Sequence, residues 1–490
     1  MSTQDAKSSV TRQKSGIRAA LEYTGIPPSW LDKRPRLPSR NWLIFLSVTS
    51  SITGLYIYDR RQCKRIKQEY IEKVKYLSEQ TADHLSWPRK VTVYGAKWPG
   101  DEDYDQAIKY FRKYVKPVLV AGAVDYEMIV GKRSGDLTRR VADEVKTRRR
   151  VDVGLDPAPS QELLPPGYPF RPLSEVRQKE LEGGIVIVGR PTWKEFMAGL
   201  KRGWTESIEK FDEDERLAQE LEMDGRFDEP EEPLEVGESF AETNKDSSSP
   251  LTSSPVLSHL QYRLPPPSPQ SKPPAPSSIP ESLNTPPAAV PVLPPILFVT
   301  FTNYIGFKQI PLMIWDFFNQ RHKVLSGAEA GYRLVMSCLR PFNGPPEAAA
   351  QPLFADITST SASSPSGPKN DLDFDKETES YYRSSLFSIP KDIEKARKKY
   401  YEELPAKLAV ARELARGTRE PTKQEIENPP STEVELRADR MKKEKRWRAD
   451  LEGWNIVRPD KEVEWDERFR DALRVFDDPP DTDLPTVSAT

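Results

Sequence analysis

Apolar positions along this chain fall into three patterns: one uncharged run near the amino terminus, short apolar bursts alternating with amphipathic stretches, and long tracts with neither. The first pattern is NWLIFLSVTSSITGLYIY at 41–58, 18 residues without a charge. As a helix rising ~1.5 Å per residue it covers ~27 Å, close to the hydrocarbon thickness of a bilayer. Trp42 stands at one end, Tyr56 and Tyr58 at the other, with Leu46 and Gly54 between, and basic clusters flank both sides (Lys33, Arg34, Arg36, Arg40; Arg60, Arg61, Lys64, Arg65). Rings at the headgroup level and cations beyond them predict a transmembrane helix. A buried helix of a soluble core is the alternative, since Ser47, Thr49, Ser50, Ser51 and Thr53 dilute the run. Ser47, Ser50, Ser51 and Gly54 share a small-residue face that suits close approach of a partner helix, or hydroxyls bonding back to their own backbone. The balanced positive charge does not choose an orientation.

The second pattern begins after a charged linker helix at 59–88 with Ile66, Tyr70, Val74 and Leu77 at helical spacing. KVTVYGA (90–96) reads as a strand, DEDYDQAIKYFRKYVKPVLV as a helix, VDYEMIVG (124–131) as a second strand, and SGDLTRRVADEVKTRRR as a helix capped by Ser134 or Asp136. A Pro-rich insertion at about 156–173 precedes the apolar strand GGIVIVGR (183–190) and the helix PTWKEFMAGLKRGW, with Pro191 in its first turn. PPILFVTFTNYIGF (294–307) and the apolar-faced KQIPLMIWDFFNQRHKV supply a fourth strand and helix. Alternation of this kind predicts an α/β fold, a Rossmann-like parallel sheet with helices on both faces, over 89–342.

The third pattern interrupts it. Residues 225–293 turn acidic and then Ser- and Pro-rich, which predicts a disordered loop, and a second Ser/Pro/Gly stretch makes 343–380 a linker. From 381 to 490 charged helices are separated by prolines, a composition usual for a solvated face and less often for a docking arm. The 47 prolines agree with one modest core in a long chain.

Charge narrows the functions. With 73 basic and 75 acidic residues there is no global field to draw in nucleic acid. Cys63 and Cys338 are far apart and only His84, His259 and His322 accompany them, so no metal site or disulfide is expected and each cysteine reads as a free thiol. Residues 1–40 carry Asp5, Glu22, Pro27 and Pro28 and make a poor cleavable targeting peptide, which fits an uncleaved anchor.

The strand ending at Gly189, followed by a helix amino terminus, is where a doubly wound sheet holds a phosphate. Arg190 and Pro191 occupy the turn, and Pro191 removes a donor, so the phosphate loop is degenerate and no cofactor is expected. GAKWPGDED (95–103) reads as an ordinary Pro-Gly turn before an acidic helix start. No Gly-x-Ser-x-Gly or His-Glu-x-x-His occurs, so no catalytic residue is assigned.

Two resemblances bear on these segments. SGIRAALEYTGIPPSWLDKRPRLPSRNWLIFLSVTSSITGLYIYDRRQCKRIKQEY (15–70), VTVYGAKWPGDEDYDQAIKYFRKYVKPVLVAGAVDYEMI and FVTFTNYIGFKQIPLMIWDFF resemble the fungal fifty-four-kilodalton subunit family of the mitochondrial carrier translocase. That resemblance implies a non-catalytic, single-pass inner-membrane protein, its amino terminus in the matrix and its large domain in the intermembrane space. It further implies two partners, the pore-forming subunit that inserts multispanning carriers and the small chaperone complexes that deliver them. GIVIVGRPTWKEFMAGL (184–200) is distantly similar to the amino-terminal domain of diacylglycerol-type lipid kinases, with Gly189, Thr192, Glu195, Gly199 and Leu200 on the pattern. Arg190-Pro191 replaces that family's Gly-Asp-Gly centre and Lys194 its Asn, which implies a lipid-kinase-like fold without the chemistry. A lipid- or nucleotide-binding enzyme, and a tether acting through the Pro-rich stretch at 264–276, are the competing functions.

Overall fold

The computed structural model describes residues 39–80, 88–157, 172–210, 212–228, 280, 284–345 and 370–479. Most of the Ser/Pro tract at 225–293 lies outside these residues. The chain divides into two compact units, Met1–Gln62 and Cys63–Thr490.

In the first unit the described residues belong to helix α1 (Arg40–Ser78), which continues into the second. Trp42, Leu46, Gly54, Tyr56 and Tyr58 are all exposed. Among the described residues no helix is long and apolar enough to cross a membrane. The expected span at 41–58 gains no support from that measure, on composition and not on length: α1 runs 39 residues, while five hydroxyl side chains and Gly54 dilute its apolar run. Three of those hydroxyls fold back on the helix: Thr49 donates to Phe45 O, Ser51 to Ser47 O at 2.9 Å and Thr53 to Thr49 O at 2.8 Å.

The second unit is built on a six-stranded sheet. In chain order its elements are β1 (Lys90–Gly95), α2 (Gln106–Tyr114), α3 (Lys116–Ala121), β2 (Asp125–Val130), α4 (Asp136–Val153), α5 (Leu173–Gly183), β3 (Ile185–Val188), α6 (Arg190–Thr205) and α7 (Glu213–Glu222). These are followed by β4 (Ile296–Val299), α8 (Ile310–Phe318), α9 (Arg321–Met336), β5 (Leu339–Pro341), α10 (Ile389–Arg416), α11 (Lys423–Glu427), α12 (Glu433–Val457) and β6 (Arg474–Phe476). The strand order is β2-β1-β3-β4-β6-β5, parallel except where β5 meets β6. The continuous apolar run of β3 has its physical cause here, since a central parallel strand is covered on both faces. Val186 and Val188 join a core with α2, α3, α9 and Val74 of α1, whereas Ile185 and Ile187 join the opposite core with α4 and α6.

Helices α4 and α6 approach closely over Gly199 and Gly203. A Cβ on Gly199 would stand 2.7 Å from Thr138 O, and one on Gly203 2.5 Å from Val145 Cβ. Neither Ser134 nor Asp136 caps α4. Its cap position is Gly135 with φ +84°, and Asp136 turns back to accept from Arg133 N at 2.8 Å.

The described residues from 370 to 479 are tied into the domain. Residues 370–388 form three short 3₁₀ turns. Helices α10 and α12 pair around Tyr400, Leu404, Leu408 and Leu436, with Arg397 and Arg412 of one bound to Glu444 and Glu433 of the other. Trp454, Ile456 and Val457 at the end of α12 enter the main core, and β6 then inserts between β4 and β5. The expected apolar-faced segment after β4 is different in kind: α8 buries none of its residues.

Candidate functional site

The strand order reverses between the parallel strands β1 and β3, so their carboxyl ends flank the crevice where doubly wound sheets bind ligands. Gly189 links β3 to α6 with φ +78°, and a Cβ there would lie 3.2 Å from Phe301 Cβ. The positive φ and the close approach both call for glycine. Pro191 sits in the first turn of α6, where a missing N–H costs no helical bond. Thr192 Oγ1 donates to Val188 O at 2.6 Å and accepts from Ala96 N at 2.9 Å. That pair of bonds ties the end of β1 to the end of β3, and the Ala96 amide is consumed inside the protein.

The rest of the crevice is filled by the turns at 371–381. Glu379 places Oε1 2.8 Å from Arg190 Nε and 2.6 Å from Lys194 Nζ, with all three side chains buried. Arg190 also donates to Leu372 O and to Phe374 O at 3.0 Å, and Lys194 to Arg458 O at 2.8 Å. Burial pulls the Lys194 ammonium below its usual range, while Glu379 opposes that shift. Asp375, held at φ 56°, accepts from Phe301 N at 3.1 Å and is pushed up to about 6 by burial. Two carboxylates of the chain itself, Glu379 on the Arg190 and Lys194 side chains and Asp375 on the Phe301 amide, therefore lie beside the start of α6.

Glu195 is oriented elsewhere. It is fully buried, accepts from Leu137 N at 3.1 Å, and so supplies the cap that α4 lacks from its own residues. Burial raises its carboxyl to about 8, and among the described residues Oε1 has no hydrogen-bond partner. Of the positions singled out in the sequence, Gly189, Arg190, Pro191 and Thr192 converge on the crevice, and Glu195 braces the neighbouring helix. Sequence reasoning missed Glu379 and Asp375. The acidic and aromatic density of DLDFDKETESYY (371–382), set between a Ser/Pro tract and a helix, was the available signal.

A cavity of about 340 Å³ opens at the other, amino-terminal end of β1 and β3, lined by Lys90, Tyr94, Glu144, Phe196 and Trp204 among others. Tyr94 Oη donates to Glu144 Oε2 at 3.2 Å there, and burial raises the Glu144 carboxyl.

These features define a class: a doubly wound α/β protein whose nucleotide-type crevice is closed by its own side chains, carrying an apolar amino-terminal helix. The chain belongs to the family of the inner membrane protein import complex subunit Tim54, whose model matches residues 19–452. A Cryptococcus neoformans relative named mitochondrial import inner membrane translocase subunit TIM54 is 36% identical over 98% of this chain and 98% of its own. Relatives of the same name from Aspergillus oryzae and Yarrowia lipolytica are 29% and 31% identical, over 63% and 38% of this chain and 68% and 44% of theirs. The function this assigns is that of a translocase subunit of the mitochondrial inner membrane.

Proposed function

We propose that the chain is a non-catalytic scaffold of the carrier translocase, supporting the pore-forming subunit and meeting the small chaperone complexes that bring multispanning carriers. The observation that carries the non-catalytic reading is the Arg190–Lys194–Glu379 network, which spends the buried cations at the start of α6 on a carboxylate of the chain itself. A lipid-kinase-like ancestry for the sheet domain agrees with the retained Gly189, Thr192 and Glu195. In this reading α1 crosses the inner membrane beside another membrane helix, with the amino terminus in the matrix and the sheet domain in the intermembrane space. Its back-bonded Thr49, Ser51 and Thr53 lower the cost of leaving water, and a neighbouring helix covers the Ser47, Ser50, Ser51 and Gly54 face.

The test is a gentle-detergent pull-down of the tagged full chain from mitochondria, with mass spectrometry of what co-purifies and with assays of ATP binding and diacylglycerol phosphorylation. Recovery of the pore subunit and small chaperones by an inert protein is expected. Their absence with good bait recovery, or phosphoryl transfer sensitive to Glu195→Gln, would overturn the scaffold reading.

A further inference from the structure

Helix α8 presents an apolar surface that the fold leaves uncovered. Phe307 is 92% exposed, Trp315 69%, Ile314 55% and Met313 46%, and no residue of α8 is classed as buried. Short helices are marginal in water, and contiguous exposed apolar patches mark contact sites. The arrangement around the axis identifies what covers this one. At 100° per residue Ile310, Met313, Ile314 and Phe317 form one side, while Leu312 and Trp315 lie on the other. A protein groove covers one face of a helix, whereas a helix apolar on every side suits hydrocarbon.

Polar groups at its ends fit immersion as well. Entering the turn before α8, Ile305 N donates to Gln309 Oε1 at 2.7 Å, and Gln309 Nε2 donates to Tyr381 O at 2.6 Å. Pro191 has its counterpart in Pro311, which brings no N–H to the first turn. At the other end Asn319 Nδ2 donates to Trp315 O at 2.9 Å. Backbone groups entering lipid must be satisfied internally in this way. The single acid of the helix, Asp316, is paired with Lys323 at 2.6 Å, and Lys308, Arg321 and Lys323 bracket the apolar turns. Cations beside an aromatic-rich helix are attracted to anionic headgroups.

We propose that α8, with Phe307, is a lipid contact of the chain, inserted from one side into a bilayer that carries anionic phospholipid. At ~1.5 Å per residue it is about 14 Å long, so it remains within one leaflet. The inference uses the inner-membrane placement of the family and is independent of the scaffold reading.

The test reconstitutes the full chain, with Cys63 and Cys338 changed to Ser, in phosphatidylcholine vesicles containing phosphatidylglycerol. Single cysteines at Leu312, Ile314 and, as a control, the exposed Met223 carry an environment-sensitive fluorophore, and flotation reports separately whether the chain is on the vesicles. Labels at Leu312 and Ile314 on floating chains should both shift to the blue and be quenched by nitroxides near the headgroups, with iodide losing most of its quenching. The Met223 label should respond to iodide alone. Trp315→Glu combined with Met313→Glu should abolish the lipid quenching while thermal unfolding is unchanged, because α8 buries nothing. Iodide quenching of both α8 labels on floating chains would overturn the proposal, and so would shielding of one side only, which indicates a protein groove or a second copy.

Discussion

Glu379→Gln changes little in shape and removes the one carboxylate that Arg190 and Lys194 share. The two cations are 2% and 1% exposed and lie 2.8 and 2.6 Å from it, so the variant leaves two buried positive charges without a counterion. Removing one partner of a buried pair costs ~3–5 kcal/mol, far more than a surface pair is worth. Part of the cost is relieved by deprotonation of Lys194, whose ammonium burial already disfavours. Urea unfolding of the detergent-solubilised full chain, followed by tryptophan fluorescence, measures the loss; Trp193 beside this site is fully buried. Lys194→Met in the same background should recover part of it, giving a coupling energy of roughly 1–3 kcal/mol in the double-mutant cycle. A loss below about 1 kcal/mol, with no coupling to Lys194, would refute the view that Glu379 closes the crevice by ion pairing.

Three further outcomes follow from the same geometry. Glu195 titrates at about 8 in the folded chain against an ordinary 4.5. The folded state therefore holds its proton more tightly, so this contribution is whole below the ordinary value and is lost as pH rises toward 8, on the order of 4 kcal/mol in all. Glu195→Gln should gain on wild type in melting temperature as pH climbs through that window, and parallel profiles would count against it. Thr192→Val removes the two Oγ1 bonds that tie the ends of β1 and β3 and strands the buried Ala96 amide, which should cost ~1–3 kcal/mol in the same urea assay. Gly199→Val must push α4 off α6 at Thr138 and should lower stability by at least ~1–3 kcal/mol, whereas unchanged unfolding would mean that the helix contact yields easily.

The four strands through β4, with α4 and α6, were legible because periodicity is a local signal, whereas α5 and α7 went unread and α2 and α3 were read as one helix. The continuous apolar run of β3 announced a strand covered on both faces, and Gly189 before Pro191 marked the turn into α6. Beyond β4 the same signal misled. The segment of α8 read as an apolar-faced helix of a fourth strand-helix unit, yet periodicity reports only that a side chain avoids water and not which apolar medium receives it. The three residues of β6 were too few to stand out in a charged carboxyl-terminal region, and they count as a strand only because β4 and β5 offer a slot.

Sequence by itself determined the α/β class, the turn at Gly189 and Pro191 into α6, and the family. Those properties reside in consecutive residues. Tertiary structure alone decided that Glu379, 189 positions from Arg190, closes the crevice, that Glu195 caps α4, and that α8 stands uncovered. Each depends on which distant segment comes within hydrogen-bond reach or fails to arrive, and no local pattern encodes that.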